Sequence, residues 1–222
     1  MGGPEMSDLQ IEKPDVDGII ARAKGVTTNP TAEWQKIASE TTAPGKVLMG
    51  YAVPLMLIGP VAAVIGQSLF GITTPFGTIR LGMGAIITTA VLGFVMSVIS
   101  LYVVSWVASA LAGNFGGRKD FPAAFRLVAY ALTASWVGGI FGLFPAISSI
   151  GLLFSLYSFY LFYKGAAPVV GVLPEKAAIY TVVTVVAAIV VNVVAAVILS
   201  AAAAPAIMAS GQLPTTQIDL SE

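Results

Sequence analysis

The chain has 222 residues, of which 57% are hydrophobic and 10% charged, with a mean hydropathy of +0.89. Soluble domains carry about 45–50% apolar and about 25% charged residues, so this is the composition of a membrane protein. Eleven basic and eleven acidic side chains cancel, and the chain has no cysteine and no histidine. These counts exclude a charge-driven nucleic-acid partner, disulfides, thiolate or imidazole catalysis, Fe–S clusters and Cys/His zinc sites.

Residues 1–45 are polar and hold seven of the eleven acidic groups: Glu5, Asp8, Glu12, Asp15, Asp17, Glu33 and Glu40. No basic stretch followed by an apolar run opens this segment, so it reads as neither a signal peptide nor a transit peptide. Asn29-Pro30 is a helix-start signal, with Asn as cap and Pro in the first helical position. Residues 31–40 then place Trp34, Ile37 and Ala38 on one side, with Glu33, Lys36 and Glu40 on other faces. Residues 15–26 carry Val16, Ile19, Ile20 and Ala23 at similar spacing. Two short amphipathic helices are expected, lying near the membrane surface or against a bundle.

Five apolar segments follow, at residues 47–70, 81–112, 121–144, 147–163 and 177–204. Each approaches or exceeds the roughly 20 residues that cross about 30 Å of hydrocarbon, the fourth being the shortest. The second is long enough to tilt or protrude. Pro54 and Pro60 interrupt the first, each removing a backbone hydrogen bond. Such breaks either line cavities or are absorbed by neighbouring helices. Pro145, with no charge nearby, suits a tight turn between the third and fourth.

With five spans, Lys13, Arg22, Lys24, Lys36, Lys46, Arg118, Lys119, Arg126, Lys164 and Lys176 fall on one side and Arg80 alone on the other. The positive-inside rule then puts the N-terminus in the cytoplasm and the C-terminus outside. The expected fold class is an all-α membrane protein, a five-helix transmembrane bundle with short amphipathic N-terminal helices. Its expected parts are a cytoplasmic tail (residues 1–45), the bundle (46–204) and a polar C-terminal tail (205–222) on the opposite side.

No Asp or Glu lies in these segments, which argues against proton-coupled transport. Arg126 sits about one turn into the third segment, where it can snorkel to the headgroups or pair with Asp120 or a lipid phosphate. The connection before it reads Leu-Ala-Gly-Asn-Phe-Gly-Gly-Arg-Lys-Asp-Phe over residues 111–121. Successive amides around Gly116 and Gly117 can bind an anion, with Arg118 and Lys119 adding charge. The plainer reading is a tight turn carrying positive-inside charge. No Gly-Lys-Ser/Thr follows a strand, so this is not a nucleotide loop.

Small residues at Gly138, Gly139 and Gly142, and at Ala187, Ala188, Ala195 and Ala196, allow close helix approach. Ser97, Ser100, Thr133 and Ser135 are expected to bond neighbouring helices or their own backbone. Tyr157, Tyr160 and Tyr163 read as an interfacial aromatic belt. Neither a cofactor nor a metal site is expected.

One ordered series stands out. Asn29-Pro30-x-x-x-Trp34-x-x-Ile37 precedes the spans; Phe115-Gly116-Gly117-x-x-x-Phe121 leads into Ala129-Tyr130-Ala131-Leu132-Thr133-Ala134-Ser135-Trp136. Gly139-Ile140, Pro145, Tyr157-Ser158-x-Tyr160 and Lys164-Gly165 complete it. The series, from about residue 29 to about residue 190, resembles the bacterial branch of the Yip1 domain family. The resemblance implies five transmembrane helices with a cytoplasmic N-terminus. Eukaryotic relatives are tied to Rab GTPases and vesicle traffic as membrane organisers rather than enzymes. The chain departs from them in lacking an Asp-Leu-Tyr-Gly-Pro element in its tail, and in carrying Ala134 where members often have Pro. Trp34, Phe115, Gly116, Gly117, Phe121, Tyr130, Thr133, Pro145, Tyr157 and Tyr160 match the family pattern and are expected to be structural or interaction residues.

The expected function is that of a non-enzymatic inner-membrane protein: a membrane organiser, assembly factor or accessory subunit. Its expected partners are membrane lipids and other integral membrane proteins or itself. The alternative is a transporter or channel for a small neutral solute or lipid, working as a homo-oligomer. The candidate contact residues are Trp34, Ile37, Phe115, Gly116, Gly117, Arg118, Lys119, Asp120, Phe121 and Arg126.

Overall fold

A computed structural model describes residues 15–74 and 77–209. The expected C-terminal tail from residue 210, and Lys13 with the three acidic groups before it, lie outside the described residues. Five helices are long and apolar enough to cross a membrane: Pro44–Phe70, Met83–Phe115, Phe121–Leu143, Pro145–Val170 and Pro174–Pro205. They are numbered first to fifth span below. The protein is an all-α membrane protein, as the apolar segments predict.

Two short helices precede the spans. Helix α1 (Val16–Thr28) starts at Asp15, whose carboxylate accepts from the Gly18 amide at 2.9 Å. Helix α2 (Pro30–Ser39) starts at Asn29-Pro30, but the Asn29 side chain makes no capping bond. The start rests instead on the preset φ of Pro30 and on the Asn29 carbonyl, which accepts from Glu33 N at 3.1 Å. Both helices are docked against the bundle. Val26, Trp34 and Ile37 are almost wholly buried in one core with the spans, whereas Val16 and Ile20 are exposed.

The first span is broken where its prolines require it. A wide π-helical turn (Leu48–Ala52) precedes Val53–Met56, and a break at Leu57 precedes Ile58–Phe70. Pro54 and Pro60 have no N–H to donate, so the helix reorganises around them. Beyond Gly71 two short strands, β1 (Ile72–Thr74) and β2 (Gly77–Ile79), pair antiparallel with Ile72 opposite Ile79. This hairpin has no forerunner in the sequence reading and leaves the fold class unchanged.

The second span is helical from Met83 to Ala112, 30 residues, which is about 45 Å at 1.5 Å per residue. That exceeds the hydrocarbon thickness, so this helix either tilts in the bilayer or protrudes from it. The third span starts at Asp120, whose side chain accepts from Ala123 N at 3.0 Å. Every residue from Ala123 to Ala131 is buried, making this the central helix. It breaks at Leu132, resumes over Thr133–Gly138 and tightens to a 3-10 turn over Gly139–Leu143. Phe144 is extended, and a second 3-10 turn (Pro145–Ile150) opens the fourth span. The third and fourth spans are therefore two helices joined at Phe144-Pro145.

The helix of the fourth span runs to Val170, not to residue 163, and contains both Lys164 and Pro168. Lys164 thus lies in the helix rather than in a connection. The reason is α2, which covers the last turns and gives them an apolar partner in place of lipid. The helix of the fifth span likewise continues through Pro205 to Ala209, so residues 205–209 are helical. Four alanines, residues 201–204, lead into it, and alanine is the strongest helix former.

Side-chain hydrogen bonds tie the spans together. Thr133 Oγ1 donates to Tyr130 O at 2.6 Å, so its single proton is engaged and Tyr51 must donate to it across 2.7 Å. Tyr180 in the fifth span donates to Ala108 O in the second at 2.9 Å. Ser135 in the third meets Ser158 in the fourth through its amide at 3.0 Å and its hydroxyl at 2.9 Å. Where the first and third spans cross, a Cβ on Gly139 would sit 2.8 Å from Gly59 Cα, so backbone packs on backbone.

Candidate functional site

The candidate contact residues gather at one end of the bundle. The connection between the second and third spans lies against the one between the fourth and fifth. Leu173 N donates to Phe115 O at 3.1 Å, and Arg118 N donates to Val170 O at 2.9 Å. Gly116 has φ of +82°, and a Cβ there would meet the Leu173 side chain at 2.6 Å. A Cβ on Gly117 would meet Val170 O at 2.7 Å. Both positions therefore exclude a side chain, Gly116 on backbone grounds as well.

This geometry answers the anion question. Gly117 N donates to Ala112 O at 2.9 Å, Arg118 N to Val170 O, and Asp120 N to Arg118 O at 3.0 Å. Three of the amides that an anion nest needs are engaged within the fold. Arg118 and Lys119 are exposed, and neither has an ion-pair partner among the described residues. The flanking aromatics anchor the turn. Phe115 meets Tyr180 edge-on at 5.6 Å between centroids, and Phe121 stacks on Tyr102 at 6.3 Å.

Trp34 and Ile37 are 1% and 0% exposed. Trp34 fills the space left by Gly165, where a Cβ would lie 2.8 Å from its ring atoms. These two residues fasten the tail to the bundle. They face inward, so a partner in the docked state does not reach them.

Arg126 is 6% exposed and does not snorkel. No ion pair joins it to Asp120, whose carboxylate caps the helix. Its Nη1 donates to Thr42 O at 3.2 Å, and its Nε is buried without a partner. The segment leading from α2 into the first span lies over it, which closes the route to the headgroups.

Sequence reasoning missed a charge network between the tail helices. Arg22 Nη1 donates to Glu33 Oε1 at 2.8 Å, and its Nη2 donates to Glu40. Lys36 Nζ reaches Glu33 Oε2 at 3.0 Å, and the Arg22 guanidinium lies 5.3 Å from the Tyr130 ring centroid. Burial lowers the pKa of Arg22, but Glu40, Tyr130 and Glu33 outweigh it, leaving a net upward shift. Glu33 is thus buried rather than on a free face. The available signal was the sign of the charges: one Arg in α1 against two Glu at or near α2. Beyond a place in an aromatic belt, Tyr157 has a structural role: its hydroxyl donates to Thr27 O at 2.7 Å and clips α1 to the fourth span.

Five apolar spans with a helical tail locked into one end define an integral membrane protein whose N-terminal segment is part of its fold. The Yip1 domain model matches residues 24–209, and the chain belongs to the Yip1 domain family. The match begins inside α1 and takes in the whole of α2, so the docked tail falls within the family domain. No curated protein and no solved structure matches the chain.

Proposed function

We propose that the protein is a non-catalytic membrane organiser or accessory subunit of the bacterial cytoplasmic membrane. Its tail and both interlocked connections face the cytoplasm and its C-terminus the periplasm. The observation that supports this reading is the build of the basic end. The tail helices are bonded to each other, the two connections are bonded to each other, and Arg118 and Lys119 are left facing outward on the turn. Such a surface suits an acidic segment of another membrane protein or an anionic headgroup. The bundle (residues 46–204) then acts as the membrane-held platform.

The test is gentle extraction from the native membrane followed by native mass spectrometry, with a photo-crosslinker at position 119. A defined hetero-complex or homo-oligomer crosslinked there supports the reading. A lone monomer with no crosslinked neighbour overturns it. Reporter fusions at both termini test the orientation. A second reading, passage of a small neutral solute or lipid, is favoured by the cavity of about 340 Å³ beside Pro60, between the first and second spans. Flux into reconstituted liposomes no greater than into empty ones counts against it.

A further inference from the structure

A second cavity, of about 190 Å³, lies among the second, third, fourth and fifth spans. Ser97 and Ser100 line it halfway along the second span, and Asn192 lines it near the middle of the fifth. Asn192 is exposed, so the cavity opens sideways at mid-bilayer depth.

Its hydrogen-bonding capacity is unbalanced. Thr184 is 2% exposed and its Oγ1 has no partner. Helical Thr and Ser usually bond the carbonyl four residues back, as Thr181 does to Ala177 O at 2.8 Å. Thr184 does not: it lies near the Tyr180 hydroxyl one turn earlier, which donates its own proton to Ala108 O, and Thr184 Oγ1 is left without a well-formed hydrogen bond. Ser135 and Ser158 have two hydroxyl protons but share one hydroxyl–hydroxyl bond, so one proton of the pair is left over beside the cavity. Ser100, 7% exposed, also lines the cavity. Buried hydroxyls left unmet cost about 1–3 kcal/mol each, so such a cluster points to an occupant.

We propose that this cavity is a binding site for an uncharged lipophile that presents a carbonyl or ester oxygen. No charged residue lines the cavity, which excludes an ionic headgroup. Leu101, Val104, Phe162 and Val185 make most of the wall apolar. The surplus groups are donors, so the ligand supplies the acceptor. The volume suits one small ring or the polar end of a chain, with the remainder lying in the lateral opening. This inference is independent of the contact function proposed for the basic end.

The test uses the full chain in lipid nanodiscs with a long-chain methyl ketone carrying a diazirine. After irradiation, the label is expected in the peptides containing Trp136 and Phe159. Unlabelled ketone displaces it and the matching alkane does not. Thr184→Val is close to isosteric and weakens ketone competition about fivefold, the effect of one lost neutral hydrogen bond. Ser100→Ala repeats the measurement independently of whether the Thr184 variant folds. Label spread over the outward valines of the fifth span overturns the proposal. So does alkane competing as well as ketone, competition unchanged in both variants, or no label above background, as expected of a cavity that holds water alone.

Discussion

Replacing Trp34 by Ala tests whether the tail is held in the bundle by one buried side chain. Trp34 is 1% exposed and sits on Gly165. Truncating a buried Trp costs about 3–5 kcal/mol. Its indole Nε1 has no partner, so losing that unmet donor returns about 1 kcal/mol. The net loss of docking free energy is about 2–4 kcal/mol, a factor of roughly 30 to 1,000 in the opening equilibrium. Amide hydrogen exchange in nanodiscs reads this directly. Exchange in α1 and α2 should accelerate together, because Arg22 joins the two helices through Glu33 and Glu40. The central turns of the third span should stay protected. Lys36→Ala, which removes a largely exposed ammonium and leaves Arg22 on Glu33, should change exchange by less than about fivefold. The reasoning is refuted if the wild-type tail amides exchange like unstructured chain, or if Trp34→Ala leaves them unchanged.

Further outcomes follow from the same geometry. Arg126→Met should raise the melting temperature in detergent by the equivalent of about 1–3 kcal/mol, because it removes a buried charge that no carboxylate balances. A fall instead would mean that an anion pairs with it. Arg22→Ala should lower tail protection by about 1–3 kcal/mol, because Glu40 loses its partner and buried Glu33 keeps only Lys36, and adding Glu33→Gln should recover part of it. The Arg22 pKa is raised, so its contribution is complete below its unfolded pKa and is lost only as pH rises through the higher folded value. Tail protection, corrected for intrinsic exchange, should therefore show no Arg22-dependent change between about pH 7 and about pH 9. Tyr51→Phe and Thr133→Val should each cost about 1 kcal/mol and their double variant less than the sum, since both break one bond. Additive losses in thermal unfolding would show that the pair is not coupled.

The spans were legible because hydrocarbon leaves a long, uniform signature, and their number agreed with the one-sided distribution of basic residues. What composition could not show is which apolar residues face protein and which face lipid. Trp34 and Ile37 read as a membrane-facing stripe as readily as a docking one, and the partner that decides between them, Gly165, lies far away in sequence. The ends of the fourth and fifth helices were missed for related reasons. A docked helix replaces lipid around Lys164, and alanine carries the fifth helix past Pro205. Gly116 and Gly117 are conspicuous in the sequence, and in the structure they let two connections touch. Arg126 was noticed for its charge and misplaced, because snorkelling assumes an open path that the segment around Thr42 closes. The Arg22 network and the Thr184 cavity depend on which groups remain unbonded, a property of the assembled bundle.

That distinction also selects the residues that can test a contact function cleanly. At the basic end Trp34, Gly117 and Arg22 are engaged within the fold, so changing them perturbs docking before it perturbs any partner. Arg118 and Lys119 differ: their side chains are exposed and have no ion-pair partner among the described residues. Reversing both charges should therefore move the melting temperature by the equivalent of less than about 1 kcal/mol, as for surface substitutions generally. The net charge of the turn changes by four units, which is large on the scale of a Debye length of about 8 Å. Crosslinking to a neighbour from position 114, which is exposed on the same connection, should fall severalfold, and the fall should shrink as salt screens the contact in the unaltered protein. A large drop in melting temperature would instead place Arg118 or Lys119 among the groups that hold the connections together. Unchanged crosslinking at low salt would remove the basic turn from the contact surface altogether.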